Sequence, residues 1–253
     1  MRILENIAEI YDLEGTICLL PRAEIHKLGL KGKNLLDMFT YNYFNTAPRK
    51  EKSNLIGMAF FLTSIKELTK RLIPSRFEEI ILPLYETTFL KKYTPSIDLS
   101  YEVAEISANL IPDKAVNLLE ENDNDKYIIT TGTPKNMVLT MLKERGLESM
   151  FNGLYANQFE VVEGKIIGFD HSDFFMGRFG KRAKALEIKN KGYDKLNARG
   201  DTFADLGMFD VAKETGGKIC TSSTAPRYTK NIVEKYKKGG VICTNMIDSL
   251  AIH

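Results

Sequence analysis

Asp12 and Glu14 stand two residues apart where the apolar-rich run Ile7–Tyr11 gives way to the turn Leu13-Glu14-Gly15-Thr16. A second, β-branched run, Tyr127-Ile128-Ile129-Thr130, stops at Thr131-Gly132, and Gly200-Asp201 lies one helical turn ahead of Asp205. Lys181 and Lys184 open a Lys-rich stretch before that third point. Carboxylates are hard oxygen donors suited to Mg²⁺, which keeps several waters and takes one or two carboxylates together with phosphate oxygens. Hydroxyls, backbone N–H groups and lysine are what the other oxygens of a phosphoryl group require. The inventory matches phosphate plus Mg²⁺.

Such residues meet only if the chain brings distant segments to one edge. Ile7–Tyr11 reads as a strand running into a Gly-containing turn, although Glu9 interrupts its apolar character. From about 17 to 96 the pattern is helical, with Ile56, Phe60, Ile65, Leu68 and Leu72 near one stripe and Phe77, Ile80, Ile81 and Leu84 near another. Pro83 is expected to kink or end the second helix, and Tyr93-Thr94-Pro95-Ser96 reads as a linker. A helix with Val103, Ile106 and Leu110 follows, then a helix around Ala115 to Leu119 and the polar loop Glu120 to Asp125. The run Tyr127–Thr131 fits a buried parallel strand. Beyond it come a helix with Met137, Val138, Met141 and Leu142, a hairpin from Tyr155 to Phe169 turning at Glu163-Gly164, and a helix from about Gly180 to Lys191. Strands alternating with helices predict an α/β fold, a doubly wound parallel sheet with right-handed crossovers. In such sheets reactive groups gather at the carboxyl ends of the strands, where the three points above fall.

With these residues in order, the sequence resembles the haloacid dehalogenase superfamily. Its first motif, Asp-x-Asp-x-Thr after a strand, is matched by Asp12-Leu13-Glu14-Gly15-Thr16; its second by Thr131-Gly132; its third by Lys181, with Lys184 as the alternative; its fourth by Gly200-Asp201-Thr202-Phe203-Ala204-Asp205. The likeness is nearest the phosphoserine-phosphatase branch, through Ile111-Pro112-Asp113-Lys114-Ala115-Val116, Tyr155-Ala156-Asn157 and Asp205-Leu206-Gly207-Met208-Phe209. The resemblance implies a Rossmann-like core from residues 1–16 and 98–253 with an inserted helical cap at 17–97. It implies a Mg²⁺-dependent phosphatase of small phosphorylated metabolites in which Asp12 is the nucleophile and becomes an aspartyl-phosphate. Glu14 would be the general acid and base, and Thr131, Gly132 and Lys181 would hold the phosphoryl oxygens. Asp12, the Glu14 backbone carbonyl, Asp201 and Asp205 would hold the metal. Glu14 replaces the usual Asp of the first motif, and a Glu variant also occurs in a relative that passes the phosphoryl group to a hydroxyl acceptor. Phosphotransfer, or a weakly active member that binds a phosphorylated ligand, are the alternatives. Pro21 falls where the branch has a substrate-reading Glu, with Glu24 three residues on, so phosphoserine is not carried over as substrate.

A formal net charge of +2 gives no reason to expect a nucleic-acid or membrane-surface partner. Residues 17–97 nevertheless hold thirteen Lys and Arg against seven Asp and Glu, and a basic loop at Arg49-Lys50 could draw an anionic metabolite. Cys18, Cys220 and Cys243 are widely spaced and show no zinc-site pattern, which reads as buried free thiols. No apolar run approaches the roughly 18 residues of a membrane span, and no signal-peptide core opens the chain, so a cytoplasmic protein is expected. A homodimer is allowed. His26, His171 and His253 do not cluster and receive no role. A receiver domain uses similar residues around Mg²⁺, but is far shorter than 253 residues.

Overall fold

Ile7–Tyr11 forms β1 although Glu9 lies within it, because the buried Glu9 carboxylate accepts from Asn197 Nδ2 at 2.7 Å and Asn124 Nδ2 at 3.2 Å and lies beside the Arg199 guanidinium. A buried charge is tolerated when it is paired and hydrogen-bonded in this way. The computed structural model describes residues 5–18, 26–29, 31, 34–48, 58, 61–62, 64–65, 68–69, 73, 76–221 and 225–245. β1 pairs in parallel with β2 (Asp125–Thr130) on one side and β6 (Lys195–Gly200) on the other. β3 (Gly153–Ala156) extends the first flank, and β7 (Ile219–Thr221) with β8 (Cys243–Asn245) extends the second. The resulting six-stranded parallel sheet has the order β3-β2-β1-β6-β7-β8. The chain leaves β1 toward β2 and β3 and returns to the far side of β1 with β6. The carboxyl ends of β1, β2 and β6 therefore meet at the switch point, where α/β sheets open a crevice.

Helices cover both faces. α1 (Leu35–Thr46), α2 (Phe77–Tyr85), α3 (Ile97–Ser107), α4 (Asp113–Glu120) and α5 (Lys135–Glu144) share one core with Tyr11, Leu13 and Ile128. α6 (Gly177–Lys189), α7 (Leu206–Glu214) and α8 (Arg227–Lys238) share the other with Ala8, Ile10, Tyr127, Ile129, Leu196 and Ala198. Alternate residues of each strand supply alternate cores, as the period of two requires. β6 carries the same alternation in a more polar form. Leu196 and Ala198 are fully buried, while Lys195, Asn197 and Arg199 line an open cleft of about 480 Å³ on the opposite face.

Several sequence expectations need correction. The hairpin proper is β4 (Phe159–Val162) with β5 (Lys165–Phe169), because Tyr155 belongs to β3 and pairs with Ile129 of β2. Its turn is at Glu163-Gly164, both at positive φ, 49° and 74°. Pro83 does not end α2: the helix runs through it into a π-helical turn, Glu86–Leu90, and a last turn, Lys91–Tyr93. Proline removes a helical donor and crowds the preceding turn, and the wider turn that follows rotates the buried face. Leu82, Tyr85, Phe89 and Leu90 are buried, whereas Ile80 is exposed. Of the first expected stripe, Ile65 is half-buried and Leu68 is exposed, while Ile56, Phe60 and Leu72 lie outside the described residues. Phe89 and Phe159 both contact Phe39 of α1, at ring separations of 6.0 and 5.9 Å, tying α1 and the end of the α2 run to the hairpin. Cys18 and Cys220 are buried, Cys243 is half-buried, and none is in a disulfide. Among the described residues no helix is long and apolar enough to cross a membrane.

The packing of α6 on α7 sets where Lys181 points, and Gly207 is the point of closest approach. A Cβ there would lie 1.9 Å from the Arg178 carbonyl oxygen and 2.7 Å from the Arg182 nitrogen, both backbone atoms. Gly207→Ala therefore has to push the helices apart. Urea denaturation is expected to show a loss of about 1–3 kcal/mol or more, with full stability in the variant refuting the contact.

Candidate active site

Asp12 follows β1 directly, and its backbone N–H still bonds to the Arg199 carbonyl of β6 at 2.9 Å, so the side chain is anchored between the two central strands. The next residues fold back. The Leu13 carbonyl accepts from Ile17 N at 3.0 Å and Cys18 N at 2.8 Å, and Gly15 takes φ 77°. A Cβ on Gly15 would sit 2.5 Å from Asp201 Oδ2, so the glycine is what lets the first turn approach the Asp201 carboxylate.

Lys181, fully buried on α6, donates to Asp12 Oδ1 at 2.7 Å and to Asp205 Oδ1 at 2.6 Å. The other Asp205 oxygen accepts from Asp201 N at 2.9 Å, Thr202 N at 2.7 Å and Thr202 Oγ1 at 2.9 Å. Asp205 thus braces both the lysine and the loop that carries Asp201. Lys184 is turned away, donating to Asp173 at 2.6 Å and Glu187 at 2.9 Å. The Glu14 carboxylate accepts from Leu35 N at the start of α1 at 3.0 Å and from Thr133 Oγ1 at 2.7 Å. Thr131, one residue past the end of β2, donates its hydroxyl to Glu78 Oε2 at 2.6 Å. Its carbonyl accepts from Asn157 Nδ2 at 3.1 Å, which also bonds the Phe175 carbonyl at 2.8 Å. Gly132 adjoins this point, with Glu14 Oε2 3.9 Å from where its Cβ would be.

One oxygen each of Asp12, Asp201 and Asp205 lies within 4.8 Å of the others, a spacing that can hold a cation. Burial, then the Asp205 carboxylate, pushes the Asp12 carboxyl well above the usual carboxylate range against the opposing pull of Lys181. The same two causes, in the same order, push Asp201 up to about 7. Asp201 Oδ1 and Thr16 Oγ1 are buried without a hydrogen-bond partner among the described residues. A hard dication fits this set: it would satisfy an orphaned carboxylate oxygen and offset excess negative charge. Glu14 is outside the group, with its carboxylate held on α1 and Thr133.

Because the folded Asp201 carboxyl is raised, its contribution to stability is full below the unfolded value, near 4, and is lost as pH rises through about 7. In chelator, urea denaturation of the protein is expected to show stability falling from pH 4 to pH 8. The Asp201 share is on the order of 4 kcal/mol. Asp201→Asn removes that share, and Mg²⁺ restores stability to the native chain at the upper end. A profile identical in native and variant proteins would sink the assignment.

The sequence missed Glu78 and Thr133. Glu78-Glu79 at the head of a helix reads as an ordinary complement to its dipole, and Thr133 carries no signal of its own. Of the histidines, His171 pairs with Glu86 at 3.0 Å and His26 is exposed. His253, Pro21, Glu24, Arg49 and Lys50 lie outside the described residues.

Solved structures share this arrangement of strands and helices. Cytosolic 5'-nucleotidase IIIB bound to cytidine superposes with a TM-score of 0.61 at 12% identity, over 95% of this chain and 80% of that one. A phosphoserine phosphatase in its apo form gives 0.52 at 14% identity, over 98% of both chains. The fold is that of the haloacid dehalogenase phosphatases. A family hydrolase from Salmonella enterica subsp. enterica serovar Typhi adds a TM-score of 0.57 at 12% identity, over 90% of this chain and 65% of that one. No protein-family model matches the sequence, and no curated protein matches it. The likeness to the haloacid dehalogenase phosphatases is thus one of fold.

Proposed function

We propose that the chain is a Mg²⁺-dependent phosphatase of small phosphorylated metabolites. The observation that carries the reading is the Lys181 ammonium bridging Asp12 and Asp205 inside a carboxylate group that can hold a cation, at the switch point of the sheet. Asp12, Asp201 and the Glu14 backbone carbonyl would hold the metal, with Asp205 bracing them. Bound there, Mg²⁺ would neutralise charge between the nucleophile and phosphate.

An Asp12 carboxylate oxygen attacks phosphorus in line as the ester P–O bond breaks, giving an aspartyl-phosphate and splitting one displacement into two. Glu14 gives a proton to the leaving oxygen. In the second step it takes a proton from the water that attacks the aspartyl-phosphate, so Asp12 is regenerated and orthophosphate leaves. Lys181, the Thr131 hydroxyl and Gly132 hold the phosphoryl oxygens, whose charge they stabilise best in the transition state. The helical segment at 17–97, including α1 and α2, acts as a cap that excludes water and sets specificity. Free thiols and a near-neutral charge support a cytoplasmic enzyme acting without nucleic acid or membrane.

Phosphotransfer to a hydroxyl is the second reading. It is favoured by Glu14, which stands where the first motif usually has Asp, as in a relative that passes the phosphoryl group to a hydroxyl. Release of phosphate from a panel of phosphomonoesters with Mg²⁺, with and without alcohol acceptors, tests both. Acceptor-independent release supports the phosphatase, and acceptor-dependent product supports the transferase. Turnover of no ester by the folded protein refutes both.

A further inference from the structure

Glu78 stands in the first turn of α2, on the segment assigned as the cap, yet its half-buried carboxylate reaches the end of β2 and the start of α6. Oε2 accepts from Thr131 Oγ1 at 2.6 Å and from the Gly177 backbone N–H, at the start of α6, at 2.9 Å. Gly177 has φ 62°, a backbone conformation that favours glycine, and it brings the first N–H of α6 to the Glu78 carboxylate. Lys181, on the same helix, is close enough to feel the Glu78 charge. A hydroxyl, a helix-terminal N–H and a nearby ammonium are the donors an anion seeks, and here a carboxylate oxygen has two of them. Asn157 fixes both sides of this seat. Its amide bonds the carbonyls of Thr131 and Phe175, and its Oδ1 accepts from Phe175 N at 3.0 Å.

We infer that Glu78 is a specificity-determining residue, a resident carboxylate that occupies part of the phosphate's seat, so that a ligand binds by displacing it. This rests on the phosphatase reading, which assigns Thr131 and Lys181 to the phosphoryl oxygens. The consequence is a threshold. A tethered carboxylate competes at an effective concentration on the order of millimolar or more. An incoming anion therefore gains only what it offers beyond a carboxylate at the same donors. A monoanion such as acetate offers nothing more. A phosphate monoester dianion has three terminal oxygens and twice the charge, so it can reach Lys181 and the cation-binding carboxylate group as well as Thr131. Displacement also frees the first turn of α2 from the core, coupling phosphate binding to the position of the cap.

The test is calorimetric titration of orthophosphate, and separately of acetate, into the Mg²⁺-loaded protein and its Glu78→Gln, Glu78→Ala and Thr131→Val variants, each checked for native melting. Glu78→Ala is expected to lower the orthophosphate Kd about tenfold, equivalent to about 1.4 kcal/mol. Glu78→Gln, which keeps an acceptor but loses the charge, should lower it less, and acetate should bind measurably only to Glu78→Ala. In a Thr131→Val background the gain from Glu78→Ala should shrink, as coupled residues require. Equal or weaker orthophosphate binding by both Glu78 variants, with the native chain binding, overturns the displacement and leaves the phosphatase reading standing. Orthophosphate binding to none of the proteins overturns the displacement, and overturns the phosphatase reading as well where no phosphomonoester is turned over.

Discussion

Asp12→Asn is expected to abolish phosphate release while leaving the protein folded and, without metal, more stable than the native chain. The amide nearly keeps the shape of the carboxylate and still offers Oδ1 to Lys181, which donates to it at 2.7 Å. What it loses is the anionic oxygen that attacks phosphorus. Removing a nucleophile of this kind lowers kcat on the order of 10⁴-fold to 10⁶-fold. The stability effect runs the other way. Asp12 is buried beside Asp205 and Asp201, and its carboxyl is held well above the usual range by burial and by those charges. A neutral amide avoids that cost at neutral pH. The two readouts are phosphate release from the phosphomonoester that the native protein turns over fastest, and the urea midpoint in chelator. Activity retained at even a hundredth of native would remove Asp12 as nucleophile, whereas activity and stability lost together would reduce the result to a folding defect.

The structure brings 12, 181, 201 and 205 together and sets Thr131 at the end of the neighbouring strand, and these places were legible because each lies near a strand end or on the helix that precedes one. An apolar run such as Tyr127–Ile129 is buried on both faces and announces itself. β6 is harder to see. Its sequence, Lys-Leu-Asn-Ala-Arg-Gly, is half polar because one face opens into a cleft, and the strict alternation was the available signal. β7 and β8, of three residues each, are too short to show a period.

The choice between Lys181 and Lys184 was open in sequence because both fall near the start of one helix. It is decided by partners: Lys181 reaches Asp12 and Asp205, whereas Lys184, almost one turn on, reaches Asp173 and Glu187. Glu78 was illegible for a different reason. It is about 50 residues from Thr131 in sequence, and its part depends on how α2 packs against the end of β2 and the start of α6, which no local pattern encodes. The likeness to solved structures at 12–14% identity places the strands and helices in common and leaves these contacts to the chain's own side chains.

Replacing each lysine by methionine separates their roles. Burial works against the Lys181 charge, but the Asp12 and Asp205 carboxylates outweigh it and hold the ammonium well above the usual lysine range. With the folded value raised, the stabilising contribution is fully present at neutral pH and would be lost only as pH climbs past the lysine range. Lys181→Met leaves two buried carboxylates without their counter-charge, a change that typically costs about 3–5 kcal/mol. The loss is expected to be largest in chelator at pH 8 and smaller at pH 5, because a carboxyl raised by burial and by its acidic neighbours takes up a proton more readily as pH falls. Phosphate release should fall on the order of 10²-fold to 10³-fold even with saturating Mg²⁺, because a donor aimed at the phosphoryl oxygens is gone. Lys184→Met removes pairs to two largely exposed carboxylates, Asp173 and Glu187, and such pairs are worth at most about 1 kcal/mol. Urea denaturation at the two pH values, with phosphate release measured alongside, should therefore give a large pH-dependent loss for one lysine and almost none for the other. Equal effects from the two substitutions would mean that the buried bridge between Asp12 and Asp205 does not hold the site together.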